Sequence, residues 1–177
     1  MKAIMAMDSD RGVGLNGGIP WRVVEDFKWF KEFTMGKSIV IGKKTFDTLP
    51  KLPGRNVYFL SDPKTKNPHE IPIGDMGIYV NVNGLVARRL LYANFVTHGL
   101  ITVDLFGNET THRIEDLIIA GGRHTYESFL PYITEFYVTH INGKYDCDTF
   151  MLPFEHLFKY QEVVRTFGEH KVIKYVK

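Results

Sequence analysis

Two short apolar runs, each followed at once by a helical pattern, restrict the fold of this sequence more than any other feature. Residues 38–42 lead into a helical turn that begins at Lys43, and residues 116–120 lead through Gly121 and Gly122 into an amphipathic pattern. Uninterrupted apolar runs are typical of strands that are buried on both faces of a sheet. A strand followed directly by a helix is the repeating unit of α/β folds. The sequence therefore predicts an α/β fold with a mainly parallel sheet.

Further segments with strand character complete the expected sheet. Strands are predicted over residues 3–7, 56–61, 77–82 and 135–141, and hairpins over 100–106 with 109–114 and over 161–165 with 171–176. Residues 62–76 read as a surface connection, whereas Val86 to Phe95 has helix formers at a helix-compatible apolar spacing. We expect one central sheet of about eight strands, mainly parallel with an antiparallel C-terminal strand, flanked by helices.

Composition limits the class of protein. The chain has 177 residues, which predicts a single domain over 1–177, and 44% apolar with 24% charged residues excludes a disordered or fibrous class. A net charge of +2 without a long basic run argues against a nucleic-acid binder. Cys147 is the one cysteine, so neither an intramolecular disulfide nor a zinc site is expected. No signal peptide or membrane span is evident, and we expect a cytoplasmic protein.

One predicted helix, opened by Pro20, carries a carboxylate among aromatic side chains. At helical spacing Asp26 shares a face with Trp29, Phe30 and Phe33, whereas the other charges of the segment lie opposite. A buried, ionised carboxylate without a partner costs several kcal/mol, so the pattern predicts a raised pKa or a fixed partner. The alternative is an acid that simply interacts with the positive end of the helix dipole.

Three segments are candidates for ligand contacts. Residues 11–20 hold four glycines with apolar residues between them, which fits a lid over a site as well as a plain long connection. Lys43, Lys44 and Thr45 follow a predicted strand at the place where helix starts bind anions, although two solvated lysines would look the same. The Gly121-Gly122 pair alone is weak evidence for a phosphate contact.

Taken in order, these motifs resemble the dihydrofolate reductase family. The matching stretches are Gly17-Gly18-Ile19-Pro20-Trp21 with Asp26, Trp29-Phe30-Lys31, Ile41-Gly42-Lys43-Lys44-Thr45-Phe46, Leu52-Pro53-Gly54-Arg55, Ile119-Ala120-Gly121-Gly122 with Tyr126, and Tyr137-Val138-Thr139-His140-Ile141. The resemblance implies that fold and the NADPH-dependent reduction of 7,8-dihydrofolate to tetrahydrofolate, by hydride transfer to C6 of the pterin with protonation at N5. Residues 63–116 do not align with the family and are predicted to be an insertion.

The resemblance also implies roles for individual residues. Asp26 would hold the 2-amino group and N3 of the pterin, with Trp21 and Thr139 as its supporting neighbours, and these three form the predicted catalytic set. Arg55 would bind the carboxylate of the glutamate tail. The other predicted substrate contacts are Ile4, Met5, Phe27, Phe30, Lys31, Leu49, Leu52, Ala120 and Tyr126. For NADPH the predicted contacts are Ala6, Val13, Asn16, Gly18, Gly42, Lys43, Lys44, Thr45, Leu60, Ser61, Gly121, Gly122, Arg123, His124, Thr125 and Tyr126.

Two departures from the family pattern and two rival functions stay open. Asp62 stands where Ser, Thr or Arg often lies near the adenosine 2′-phosphate, which weakens the prediction of NADPH over NADH. Ile19 replaces a frequent Met or Leu, with little expected effect.

The rival functions are the reductase of riboflavin synthesis and a non-catalytic module on the same fold. Antifolate inhibitors are plausible ligands. The oligomeric state is open between monomer and homodimer, and the hypothesis that the insertion mediates dimerisation would be refuted by a monomer in sedimentation at high concentration.

Overall fold

The computed structural model describes residues 1–61, 77–82, 85–90, 93–96, 99–103 and 109–177, with side chains over 1–59, at 113 and over 115–177. The helices are α1 (Val24–Thr34), α2 (Lys43–Thr48) and α3 (Arg123–Phe129). The strands are β1 (Lys2–Met7), β2 (Gly12–Gly14), β3 (Ser38–Gly42), β4 (Asn56–Ser61), β5 (Gly77–Val82), β6 (Leu85–Leu90), β7 (Ala93–Val96), β8 (Gly99–Val103), β9 (Glu109–Arg113), β10 (Leu117–Ile119), β11 (Glu135–His140), β12 (Thr149–Phe150), β13 (Tyr160–Phe167) and β14 (His170–Val176).

One sheet organises the described part of the chain. Its nine strands run in the order β13-β14-β11-β1-β10-β3-β4-β5-β6. The five central strands, from β11 to β4, are parallel to one another, and β14 and β13 are antiparallel to them. This confirms the predicted α/β sheet with an antiparallel C-terminal edge. The second edge is antiparallel as well, because β5 and β6 turn back along β4.

Three segments differ from the sequence predictions or make them more exact. The helical interpretation of Val86 to Phe95 is wrong: β6 and β7 cover most of this stretch and pair with β5 and β8. Pairing with a neighbouring strand overrides local helix propensity there. The predicted hairpin near Gly107 exists as the β8–β9 pair, although its turn lies outside the described residues. Helix α1 begins at Val24, not at Pro20, because Val23 is still extended.

The two faces of the sheet are covered differently. On one face, α1 and the segment after β3 pack Phe30, Phe33, Phe46 and Leu52 against a buried cluster that includes Ile4. On the other face, α3 packs with Ala3, Met5, Met7, Ile119, Phe136 and Phe154. Alternate residues of β1 therefore point to opposite layers, as a strand requires. None of the helices in the described residues has the length and apolarity that crossing a bilayer requires.

Parallel strands end at a common edge, and this edge gathers the candidate ligand-binding segments. The loop after β1, the turn from β3 into α2 and the turn from β10 into α3 all follow the carboxyl ends of neighbouring strands. Open α/β sheets bind their ligands at such an edge. Gly36, with φ of 72°, ends α1 in a left-handed conformation that glycine adopts readily and so directs the chain into β3.

Candidate active site

Asp26 is the buried acid of the site. It lies in the first turn of α1 with 7% of its surface exposed and has no ion-pair partner in the part of the chain that the structure describes. Burial raises the pKa of the Asp26 carboxyl, and the nearby Thr139 hydroxyl and, more weakly, the charge of His170 offset part of that rise. The structure therefore places a carboxylate where its charged form is disfavoured until a ligand pairs with it.

Two buried polar atoms of the predicted catalytic residues have no hydrogen-bond partner in the part of the chain that the structure describes. Trp21 Nε1 and Thr139 Oγ1 are both inaccessible to solvent, in residues that are 3% and 1% exposed. Thr139 is close enough to affect Asp26, yet its hydroxyl makes no hydrogen bond of ordinary geometry. Buried polar atoms are normally paired, so these unpaired donors suit a site completed by a polar ligand or by ordered water.

The walls next to Asp26 are apolar. Phe30, Leu49 and Leu52 are half-buried against the cluster that contains Ile4, and the exposed fraction of Phe27 is 46%. The carbonyl oxygen of Ile4 accepts a 2.6 Å hydrogen bond from the Tyr126 hydroxyl, whose pKa is raised by burial and by the charge of Asp26. An apolar crevice with a single acid and a fixed hydroxyl suits a flat heterocycle with polar edges.

The remaining predicted substrate residues lie around this crevice or beside it. Lys31 is exposed on α1, and Ala120 is half-buried, with its amide donating to the Val40 carbonyl at 2.9 Å. Met5 packs its side chain into the opposite layer, in the cluster with Tyr126 and Phe136. Its predicted substrate contact could come only from its backbone and stays a prediction.

Arg55 presents a guanidinium that is held on one side only. Its Nη1 donates to Thr34 Oγ1 at 3.3 Å, and that hydroxyl donates in turn to the Phe30 carbonyl at 2.6 Å. Its Nε is buried without a partner, and among the described residues no carboxylate pairs with it. Burial lowers the pKa of Arg55. Arg55 therefore carries a guanidinium without a carboxylate partner among the described residues, and a carboxylate is a group that guanidinium binds well.

The two turns after β3 and β10 approach each other closely enough to require glycine. Gly42 N donates to the Gly121 carbonyl at 2.7 Å, and the Gly121–Gly122 peptide bond is cis. A Cβ on Gly122 would lie 2.7 Å from Thr45 Oγ1, and one on Gly42 would lie 2.9 Å from Thr125 Oγ1. The result is a cradle of backbone groups and two hydroxyls, which suits the oxygen atoms of a dinucleotide's phosphates.

The charged residues beside this cradle are not equivalent. Lys43 is paired with Asp47, and Arg123 donates from Nε to Glu127 Oε1 at 2.7 Å. Lys44 is exposed and has no ion-pair partner within the described residues, and His124 is exposed with Glu127 at 3.7 Å. The sequence did not distinguish the two lysines. Lys44 is the one that an incoming anion can reach without breaking an ion pair.

Residues 11–20 lie between two supports that the sequence analysis missed. Asn16 N donates to Asp148 Oδ2 at 2.7 Å, and the Thr48 hydroxyl donates to the Gly17 carbonyl at 2.6 Å. Gly18 and Leu15 exchange backbone hydrogen bonds of 2.9 Å, so this tip is a tight turn. The sequence does hold one indication of the first support. Acids in loops often bind backbone amides, and two acids lie in the segment Asp146-Cys147-Asp148-Thr149 after a predicted strand.

The other predicted cofactor contacts are placed as follows. Ala6 packs beside Trp21, and Val13 packs against the layer that includes Met7. Leu60 and Ser61 end β4, but their side chains are outside those described, and Asp62 lies outside the described residues altogether. The structure thus brings Asp26 close to Thr139 and Tyr126, packs Phe30, Leu49 and Leu52 into one apolar cluster, and joins Gly42, Thr45, Gly121, Gly122 and Thr125 in the cradle, whereas the side chain of Met5 lies in the opposite layer.

Comparison with known proteins identifies the family of the chain. The family model for dihydrofolate reductase matches residues 1–76 and 94–175. A dihydrofolate reductase of Mycoplasma pneumoniae is 29% identical over 179 aligned positions, covering 100% of this chain and 98% of that protein. One of Staphylococcus haemolyticus is 30% identical over 148 residues, covering 83% and 73%. Type 9 of Escherichia coli is 28% identical over 152 residues, covering 84% and 74%.

A solved structure shares the fold. Dihydrofolate reductase from Enterococcus faecalis, complexed with NADP(H) and RAB-propyl, superposes with a TM-score of 0.62 at 22% identity, covering 99% of this chain and 94% of that one. Together with the family match, the likeness confirms the resemblance first suggested by the ordered motifs. The chain belongs to the dihydrofolate reductase family.

Proposed function

We propose that this protein catalyses the NADPH-dependent reduction of 7,8-dihydrofolate to tetrahydrofolate. The observation that carries the proposal is Asp26, a buried carboxylate without an ion-pair partner among the described residues, close to Thr139 and on the same helix as the apolar Phe30. Family membership supports it further. Each group of the site then has a task that its surroundings allow.

Asp26 binds and polarises the pterin. Its two oxygen atoms can accept parallel hydrogen bonds from the 2-amino group and from N3, and such paired charge-assisted bonds are among the strongest available. The raised pKa brings the carboxyl towards the range in which it can exchange protons. Reduction of the C6–N5 imine requires a proton on N5, and Asp26 is the acid that can supply it or raise the basicity of the ring.

Trp21 and Thr139 act through Asp26. The Thr139 hydroxyl is close enough to stabilise the charged carboxylate, and the indole N–H of Trp21 is a buried donor without a partner among the described residues. Both side chains can hold a water molecule or the pterin's amino group in one orientation. Their task is to fix the position of Asp26 and of the proton.

Arg55 and the apolar walls select the rest of the substrate. Phe30, Leu49 and Leu52 offer a surface for the benzoyl ring, with Phe27 at its exposed end. Arg55 lies at the far end of α1, bound to Thr34, and its guanidinium would receive the carboxylate of the glutamate tail. This order of groups, acid then apolar wall then arginine, matches the order of groups in dihydrofolate.

The glycine cradle fits a nicotinamide dinucleotide. When bound, NADPH supplies the hydride. Gly42 and Gly122 pack directly against the hydroxyls of Thr125 and Thr45, and the phosphates of the cofactor would bind these backbone groups and hydroxyls. Lys44 provides a cation without an ion pair to another described residue. Residues 11–20 cover the site and exclude water, which otherwise weakens the electrostatic effects on which the step depends.

A steady-state assay tests the proposal directly. The purified protein is mixed with NADPH and dihydrofolate, and loss of the reduced-nicotinamide absorbance is followed. We expect saturable oxidation that needs both compounds. Oxidation with a ribosylaminopyrimidine but not with dihydrofolate would favour the riboflavin-pathway rival, and oxidation with neither would favour a non-catalytic role.

The proposal includes a cytoplasmic location, which the free thiol of Cys147 supports and cell fractionation can test.

A further inference from the structure

Asp8 is a buried carboxylate to which the proposed reaction assigns no task. It follows β1 directly, and only 3% of its surface is exposed. Its Oδ1 accepts hydrogen bonds from Gly12 N at 2.7 Å and from Asp10 N at 2.9 Å, and its Oδ2 accepts one from Tyr145 N at 2.9 Å. Three backbone amides on a buried carboxylate form a strong, directional connection.

These hydrogen bonds join two segments that are far apart in sequence. Gly12 begins β2, the first part of the lid, whereas Tyr145 lies in the loop that follows β11. The two segments are in close contact, because a Cβ on Gly12 would lie 2.4 Å from Cys147 Sγ and 3.0 Å from Asp8 Oδ1. The Asp8 carboxylate is therefore the polar centre of a tight junction between the base of the lid and the loop over 143–148.

The lid depends on this same loop further along. Asp148 N donates to the Gly14 carbonyl at 3.0 Å, and Asp148 Oδ2 accepts from Asn16 N at 2.7 Å. The ring of Tyr145 also meets Trp21 edge-on, at 5.5 Å between centroids. The loop therefore holds the lid tip through Asp148, and through Tyr145 it also contacts Trp21.

We propose that Asp8 is a positioning residue for the lid: by binding the amides of Gly12 and Tyr145 together, it sets the register between lid and loop that the contacts at Asn16 require. Asp8 touches neither substrate nor cofactor in this assignment. The effect on the reaction rests on the proposed function, since it matters only if residues 11–20 close over hydride transfer. The effect on the position of the lid does not depend on the proposed function.

The test is Asp8→Asn, with Asp10→Asn as the matched control. Asp10 joins the same two segments, but through an exposed ion pair with Lys144 at 2.8 Å, so this variant separates the buried junction at Asp8 from a surface contact, which contributes little. Amide hydrogen exchange is measured on the ligand-free proteins. We expect Asp8→Asn to speed exchange at Asn16 and Gly18, which the carboxylate does not touch, by about tenfold or more, and Asp10→Asn to leave them unchanged. Unchanged exchange at these tip amides in Asp8→Asn would overturn the proposal.

A second measurement uses the wild-type protein and does not depend on how the variant folds. At low denaturant concentrations, Gly12, Asn16 and Tyr145 amides should exchange through one shared opening below the free energy of global unfolding. Independent openings would overturn the proposal, as would an Asp8→Asn chain that unfolds as a whole, because Asp8 would then serve the entire fold.

Kinetics then tests the consequence for catalysis. In Asp8→Asn the single-turnover hydride rate should fall about tenfold and the isotope effect from deuterated NADPH should rise, with KM for dihydrofolate nearly unchanged. Altered exchange with wild-type rates would refute the link to catalysis. A wild-type protein that does not reduce dihydrofolate would refute the proposed function and leave the exchange result standing.

Discussion

Replacing Asp26 by asparagine should remove most of the turnover at neutral pH and leave the fold at least as stable. Loss of a positioned acid or base typically costs about 10²- to 10⁴-fold in rate, or about 3–5 kcal/mol of transition-state stabilisation. Asp26 is 7% exposed and lacks an ion-pair partner in the described chain, so its carboxyl is available to a ligand. The assay is steady-state oxidation of NADPH with dihydrofolate across a range of pH.

The stability half of this prediction follows from the direction of the pKa shift. Burial raises the pKa of Asp26 above its usual value of 3.8, so the folded state favours the protonated form. As the pH rises from below the pKa of Asp26 in the unfolded chain to above its pKa in the folded protein, ionisation of the carboxyl lowers the free energy of unfolding. Asparagine avoids that loss, so the free energy of unfolding at neutral pH should match or exceed that of the wild type, and the difference should vanish in acid.

Glu25→Gln is the matched control, because Glu25 lies in the same first turn of α1 but is exposed. It should change neither turnover nor the pH profile. Near-normal turnover in Asp26→Asn would refute the assignment of Asp26. A large loss of stability in Asp26→Asn at neutral pH would show instead that the carboxylate holds the fold together.

Three further predictions concern the tail site and the cofactor site. Arg55→Leu should raise KM for dihydrofolate about tenfold or more while scarcely affecting a tail-less dihydropterin, because only the former has a carboxylate to lose; equal losses in a titration with both would remove the role of Arg55. Gly122→Ala should weaken NADPH binding about tenfold or more, because a Cβ there would lie 2.7 Å from Thr45 Oγ1; unchanged affinity by fluorescence titration would mean that the cradle does not hold the cofactor. Asp62→Ser should increase the preference for NADPH over NADH, since a carboxylate repels the 2′-phosphate; an unchanged ratio of kcat/KM values would show that Asp62 points elsewhere.

Local patterns in the sequence were enough to predict the elements that surround the crevice. Helical spacing predicts that Asp26 shares one face of a helix with three aromatic side chains. The aromatic side chains Trp29, Phe30 and Phe33 do pack together against the sheet, and Asp26 is buried. The turns after β3 and β10 were read from strand runs followed by glycine. These features depend on residues close together in the chain, which is why sequence alone reveals them.

Contacts between distant segments could not be predicted in this way. The hydrogen bonds of Asp8 to Tyr145 and of Asn16 to Asp148 join residues more than 130 positions apart. Strand pairing also overrode the helical character of Val86 to Phe95. Each of these depends on tertiary structure rather than on local preference.

A crystal structure of the protein with a bound pterin antifolate tests the central claim most directly. The account predicts that both carboxylate oxygens of Asp26 lie within hydrogen-bonding distance of the ligand's amino group and adjacent ring nitrogen, with Trp21 and Thr139 beside them. A carboxylate turned away from the ligand into bulk water would contradict it.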